Sequence, residues 1–147
     1  MNADELWKKY CAENSIDINT RHDVWAFGAA PDELAKLVLK GIKTATASAY
    51  DLYFIDSESE PLPEVGGYSI ILNSKDEALC IIQTTKVRIM AFKDMTYDIC
   101  KLEGEDEVLE TWIENHVAFL KESCDEYGYQ FSFDMPIVFE EFKVVYK

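Results

Sequence analysis

Hydrophobic positions recur along this chain with two different periods. Between Asp4 and Asn14, Leu6 with Tyr10 and Trp7 with Cys11 stand four apart, which puts each pair on one helical face and predicts a helix. A second predicted helix is better punctuated. Pro31 suits the first helical position, Asp32 and Glu33 favour the positive N-terminal end, and Leu34, Leu37 and Val38 form an apolar face. Lys36 and Lys40 fall toward its C-terminal end, and Gly41 is placed as a left-handed terminator.

The period then changes. Ile42 to Tyr50 is rich in threonine and alanine, and Ser57 to Gly67 carries Pro61, Pro63, Gly66 and Gly67, the composition of an exposed loop. Tyr68 to Leu72 and Ala78 to Met90 read as strands around a turn at Asn73 to Asp76, together a hairpin. Thr96 is placed to cap a short helix ending near Gly104, and Asp106 to cap a longer one. In the longer one Val108, Leu109, Trp112, Ile113, His116, Val117 and Leu120 form a stripe at helical spacing. Pro136 opens a last β-rich stretch, Ile137 to Tyr146. Strands do not alternate one-for-one with helices. The expectation is an α+β fold with an antiparallel or mixed sheet that can close on itself, rather than a doubly wound parallel one.

Composition narrows the class. The 147 residues make one domain's worth of chain, and 48% hydrophobic with 13% aromatic content is ample for a core without disulfides or metal. With no repeat or linker in view, residues 1–147 are expected to form a single domain, residues 1–24 being a helical extension whose role is open between covering a barrel end and mediating a homodimer. No stretch approaches the roughly 20 apolar residues of a membrane span. The first ten residues carry Asp4, Glu5, Lys8 and Lys9, unlike a signal peptide. A cytoplasmic location is expected, with Cys11, Cys80, Cys100 and Cys124 as free, mostly core thiols. Neither His22 nor His116 stands near enough to a cysteine for a zinc motif, so no metal and no cofactor is expected.

Charge limits the partners. The formal net charge is -14, and the arginines are Arg21 and Arg88 alone. A long phosphate backbone needs a basic stripe, which this chain lacks, so long DNA is not an expected partner. A small ligand met in one pocket is compatible with such a field. Lys36, Lys40 and Lys43 form the best local cationic patch.

Candidate chemistry concentrates in Gly41-Ile42-Lys43-Thr44-Ala45-Thr46-Ala47-Ser48, a lysine among hydroxyl side chains directly after a helix-ending glycine. A lysine so placed can hold an anion or serve as a base. Positions 43 and 46 point to opposite faces of a regular strand, so a shared site needs a turn or bulge between them. The plainer reading is a threonine-rich strand with a solvated lysine. Glu103, at a helix junction, can give or take a proton, although Glu105, Asp106 and Glu107 beside it suggest a solvated run. Trp112 and His116 lie one helical turn apart, and Trp25 and Phe27 beside Gly28 can form a stacking wall or simply pack in the core. There is no P-loop, dinucleotide fingerprint, nucleophile elbow or paired-histidine zinc helix.

Taken in order, these motifs resemble the ASCH domain family within the PUA-like superfamily, over about Trp25 to Tyr146. They are Phe27-Gly28, Glu33-Leu34-Ala35, the Gly41 to Thr46 segment, Leu62-Pro63 with Gly66-Gly67, Thr84-Thr85, Glu103-Gly104, Trp112 and His116. The resemblance implies a PUA-like mixed or antiparallel β-barrel with flanking helices and a cleft beside the lysine-bearing loop. That cleft would take a nucleoside, a nucleotide or short RNA. One bacterial branch resembles an amidohydrolase acting on N4-acetylcytidine through a lysine, a threonine three residues later and a downstream glutamate. Those roles carry over to Lys43, Thr46 and Glu103 as catalytic residues. Phe27, Gly28, Gly41, Thr44, Ser48, Trp112 and His116 carry over as ligand-binding residues. The broader pattern Gly-x-Lys-x-x-Glu-x-Arg has Thr46 here at the glutamate place and Ser48 at the arginine place, and the lost arginine bears on substrate identity. The alternatives are a non-catalytic RNA- or nucleotide-binding module and a metal-independent ribonuclease.

Overall fold

The computed structural model describes residues 1–28, 30–54 and 61–147. Its centre is a mixed five-stranded sheet in the order β1-β3-β4-β5-β2, curled into a half-barrel with helices packed around it. The strands are β1 (His22–Ala26), β2 (Ala45–Ala49), β3 (Tyr68–Leu72), β4 (Ala78–Ala91) and β5 (Pro136–Tyr146). The expected hairpin is β3 with β4, antiparallel, and the long β4 and β5 pair antiparallel along most of their length. β1 joins β3 in parallel and makes the sheet mixed, while β2 closes the other edge against β5.

The helices are α1 (Ala3–Asn14), α2 (Pro31–Leu39), α3 (Tyr97–Cys100) and α4 (Leu109–Glu126). Asn2 caps α1 in a reciprocal box with Glu5, satisfying two otherwise orphaned backbone donors. α1 lays Leu6, Trp7, Tyr10 and Cys11 on Ile70 and Ile81. α2 begins at Pro31, and Gly41 beyond it takes φ 75, the left-handed terminator its position predicts. Its Ala35 and Val38 meet Ile71, Cys80, Ile82 and Phe142 inside the curled sheet. α4 buries Trp112, Leu120 and Cys124 against Ala45, Ala49, Ile137 and Phe139. All four cysteines are buried and unpaired. Among the described residues no helix is long and apolar enough to cross a membrane.

Two local expectations need correction, and one strand was not expected at all. Asp106 does not cap α4; the cap position is Val108 without a side-chain bond, and Asp106 Oδ1 instead accepts from Asn115 Nδ2 at 3.0 Å. Thr96 sits at the N-cap of α3, but its side chain makes no capping bond. β1 is an element the hydrophobic pattern did not announce, because as an edge strand it leaves Val24 and Ala26 exposed and lacks clean alternation. The loop expected over Ser57 to Gly67 lies partly outside the described residues.

Candidate functional site

The two edge strands, β1 and β2, bound a cavity of about 640 Å³. That lies within the roughly 300–1,000 Å³ of small-molecule sites. One wall is β1 and the residues after it, Trp25, Phe27 and Gly28 among them. The other is Thr46, Ala47 and Ser48 of β2 with Tyr53. The floor is Ser69, Thr84 and Glu140 from the three inner strands, and Pro61 to Tyr68 borders the rim. α1 reaches this wall from behind, where Trp7 stacks on His22 with ring centroids 4.0 Å apart.

Beside the cavity lies a buried charged cluster that does not line it. Ile42 N–H and Lys43 N–H both donate to the Leu37 carbonyl, wrapping the chain tightly around the end of α2. Thr44 then ties this turn to the far segment: its N–H and its hydroxyl both donate to the Leu102 carbonyl, at 2.8 and 3.1 Å. Glu103 follows Leu102 and is thereby set opposite Lys43. Gly104 must be glycine for this approach, since it has φ 71 and a Cβ there would lie 2.5 Å from the Ile42 carbonyl oxygen.

Lys43 Nζ stands 3.5 Å from Glu103 Oε2 and 2.7 Å from Glu105 Oε2, with the Lys43 and Glu103 side chains 1% and 2% exposed. His116 Nε2 lies 3.2 Å from Glu103 Oε2, and its Nδ1 faces the Trp112 carbonyl at 2.8 Å. An imidazole with acceptors on both nitrogens is fully satisfied only when both carry protons. Burial works against that charge, but the Glu103 hydrogen bond and charge and the Trp112 carbonyl outweigh it, so the His116 pKa is raised. Glu103 shows the converse. Burial alone would push its carboxyl up, but the His116 hydrogen bond and the Lys43 charge pull it down to about 2. Glu105 is raised, first by burial and then by its hydrogen bond with Glu103. The cluster is thus a lysine and an imidazole whose charged form is favoured around one firmly ionised carboxylate, with a second carboxyl that holds its proton more readily.

The structure therefore divides the residues singled out from sequence. Phe27, Gly28, Thr46 and Ser48 line the cavity. Lys43, Glu103 and His116 form the cluster. Phe27 belongs to both, since its ring lines the cavity and lies 5.4 Å from Lys43 Nζ. Gly41 and Thr44 shape the lysine turn, and Trp112 is core, fully buried and stacked on His116 at 4.0 Å and Phe92 at 5.5 Å. Lys43 is not the solvated lysine of the plainer reading. Lys43 stands just before the start of β2 and does not line the cavity that Thr46 lines, so the two do not share one wall of a site.

Sequence reasoning passed over Glu105, which makes the shortest contact to Lys43, and over Glu140, and it took Thr84 only as part of a family motif. A signal for Glu140 existed. In Ile137 to Phe142 both alternating faces are apolar apart from Glu140 and Glu141, so one glutamate has to enter each face. Among the described residues no group of three histidine, cysteine or carboxylate side chains is arranged to hold a metal ion.

The sequence pattern of the ASCH domain matches residues 23–146. The protein EF3133 from Enterococcus faecalis V583 is similar in structure, with a TM-score of 0.86 and 36% identity over 99% of this chain and 93% of that one. An ASCH domain from Lactobacillus crispatus JV V101 is similar with a TM-score of 0.84 and 30% identity, over 97% and 93%. No curated protein matches the chain. The curled mixed sheet with its flanking helices is the ASCH/PUA-like fold. The chain belongs to the ASCH domain family.

Proposed function

We propose that this ASCH domain binds a nucleoside-sized ligand in the cavity between β1 and β2 and hydrolyses an amide on it, N4-acetylcytidine being the type substrate. The carrying observation is the pairing of Lys43 with Glu103 at 3.5 Å directly behind a cavity into which Thr46 opens. Thr46 Oγ attacks the amide carbonyl, or orients a water that does. The proton of the attacking hydroxyl or water passes to the Glu103–His116 pair, and the Lys43 ammonium stabilises the developing negative charge. The pair returns that proton to the amine as the C–N bond breaks. Where Thr46 itself is acylated, a water then releases the acyl group as the carboxylate. Trp25, Phe27 and Tyr53 offer faces on which a base can stack.

The test is purified protein with N4-acetylcytidine, following cytidine release by chromatography, with Lys43→Ala and Glu103→Gln in parallel. Release by the wild type and loss in both folded variants is the expected result. Unchanged turnover in the variants would remove Lys43 and Glu103 from the chemistry.

One observation favours a second reading, a non-catalytic module for RNA or a nucleotide. Lys43 and Glu103 are almost fully sealed and do not line the cavity, as expected of an ion pair that holds the fold. Under that reading the cavity binds ligand while the cluster fixes the β2 edge, and no acylated nucleoside is consumed.

A further inference from the structure

One aromatic ring on the cavity wall comes from a helix rather than from the sheet. α4 brings Phe119, which borders the cavity and is 37% exposed. It stands two turns after Trp112, on nearly the same side of the helix. Trp112 is covered by the core, whereas Phe119 has the cavity in front of it. A Cβ built at Gly28 would lie 3.3 Å from Phe119 Cε2, so the ring is seated on a glycine. The other rings on the wall are already engaged. Trp25 and Phe27 stand edge to face at 4.8 Å, Tyr68 meets Trp7 and Tyr10 in the same manner, and Tyr53 is tied through its hydroxyl to Ser48. Among the described residues Phe119 makes no ring contact of its own. Scattered exposed apolar residues are ordinary, but an uncovered ring bordering a cavity is area that a ligand can remove from water.

We propose that Phe119, seated on Gly28, is the stacking platform of the cavity and holds a planar heteroaromatic ring. This rests on the nucleoside reading and deepens it, since a flat conjugated ring gains from offset stacking what a sugar or an aliphatic chain does not. A base laid on Phe119 lies against the β1 wall, because Gly28 belongs to that wall, and its exocyclic amide is left to face Thr46 on the β2 wall. Phe119 touches the ring and none of the reacting atoms, so its part is to hold the base while the chemistry proceeds on the opposite wall.

The test is an NMR titration with cytidine, which reads millimolar affinities and, through nuclear Overhauser contacts, shows which protein ring the base lies on. Wild type, Phe119→Leu and Phe119→Tyr are compared, each shown to be folded by a thermal melt. An exposed position tolerates leucine, so the fold should survive the loss of the ring. In the wild type the Phe119 ring protons should show contacts to the pyrimidine ring protons. Base–aromatic stacking is worth a factor of roughly ten per base, so Phe119→Leu should weaken cytidine by about that much, while Phe119→Tyr, which keeps the ring face, should stay within about twofold of the wild type. The wild-type contacts decide the matter by themselves if a variant does not fold. Unchanged affinity in Phe119→Leu, an equal loss in Phe119→Tyr, or a wild type that binds cytidine without contacts to Phe119 would overturn the assignment while leaving the nucleoside reading in place. A wild type that binds neither cytidine nor N4-acetylcytidine would overturn the nucleoside reading and this one with it.

Discussion

Lys43 and Glu103 lie 60 positions apart in the chain, yet their side chains meet at 3.5 Å and are both almost fully buried. The Leu102 carbonyl, taken by both the N–H and the hydroxyl of Thr44, is what brings the two segments together. Removing one partner of a buried pair leaves the other charge uncompensated. Lys43→Ala should therefore cost about 3–5 kcal/mol of stability, whereas Lys43→Met combined with Glu103→Gln should recover most of that loss. Urea unfolding of the two variants reads the difference. A Lys43→Ala protein as stable as the wild type would show that the pair does not hold the fold, and loss of turnover in it would then report on chemistry alone.

The same cluster makes stability depend on pH in two windows. His116 has a folded pKa above its unfolded value near 6.5, so its contribution is complete below about pH 6.5 and is lost as pH rises through the folded value. Glu103 has a folded pKa depressed to about 2, so its contribution is complete above the unfolded value and is lost as pH falls toward 2. Melting temperature should decline on the alkaline side of pH 6.5, and His116→Gln should flatten that decline and also weaken the acid limb, because the hydrogen bond and charge of His116 help hold Glu103 ionised. An alkaline limb that persists in the variant would mean another group is responsible.

How much of this was readable in advance depended on whether a residue's partner was local. α1, α2, α4 and the β3–β4 hairpin follow from periodicity, Pro31, Gly41 and the Asn73 to Asp76 turn, all of them short-range signals. β1 was not legible, because its partner β3 lies more than one helix away and an edge strand need not alternate. At the site, Lys43 and Glu103 stood out through family spacing, while Glu105 looked like one more member of an acidic run. Only the turn fixed by Thr44 and Gly104 reveals that Glu105 reaches back to Lys43 at 2.7 Å. Glu140 and Thr84 sit in ordinary β-rich sequence, and which face each presents depends on register, which no local pattern states.

Gly104 and Gly41 permit a controlled comparison. Both have positive φ, at 71 and 75, but a Cβ at Gly104 would strike the Ile42 carbonyl whereas one at Gly41 meets nothing within 4 Å. Gly41→Ala should cost only the left-handed backbone penalty, about 1 kcal/mol. Gly104→Ala should cost that plus the displacement of the lysine turn, more than about 2 kcal/mol in all. Chemical denaturation of the two proteins measures it. Equal losses would mean that the close approach of the two turns is not under tension.

Ser48 occupies the place where the broader family pattern carries an arginine, and its hydroxyl is hydrogen-bonded to the Tyr53 hydroxyl at 2.7 Å on the cavity wall. With serine there, the described cavity wall has Arg21 as its guanidinium, at the exposed outer end of β1. A neutral nucleoside should consequently bind almost independently of salt. Ser48→Arg introduces a planar, permanently charged donor beside Thr46. It should tighten cytidine 5′-monophosphate by roughly tenfold at low ionic strength, with the gain shrinking as salt screens the new charge. Cytidine itself should change little. Titrations of both ligands at low and moderate salt separate the effects: a gain confined to the phosphorylated ligand makes the position 48 side chain the phosphate discriminator, and an equal change for both would assign it to packing against Tyr53.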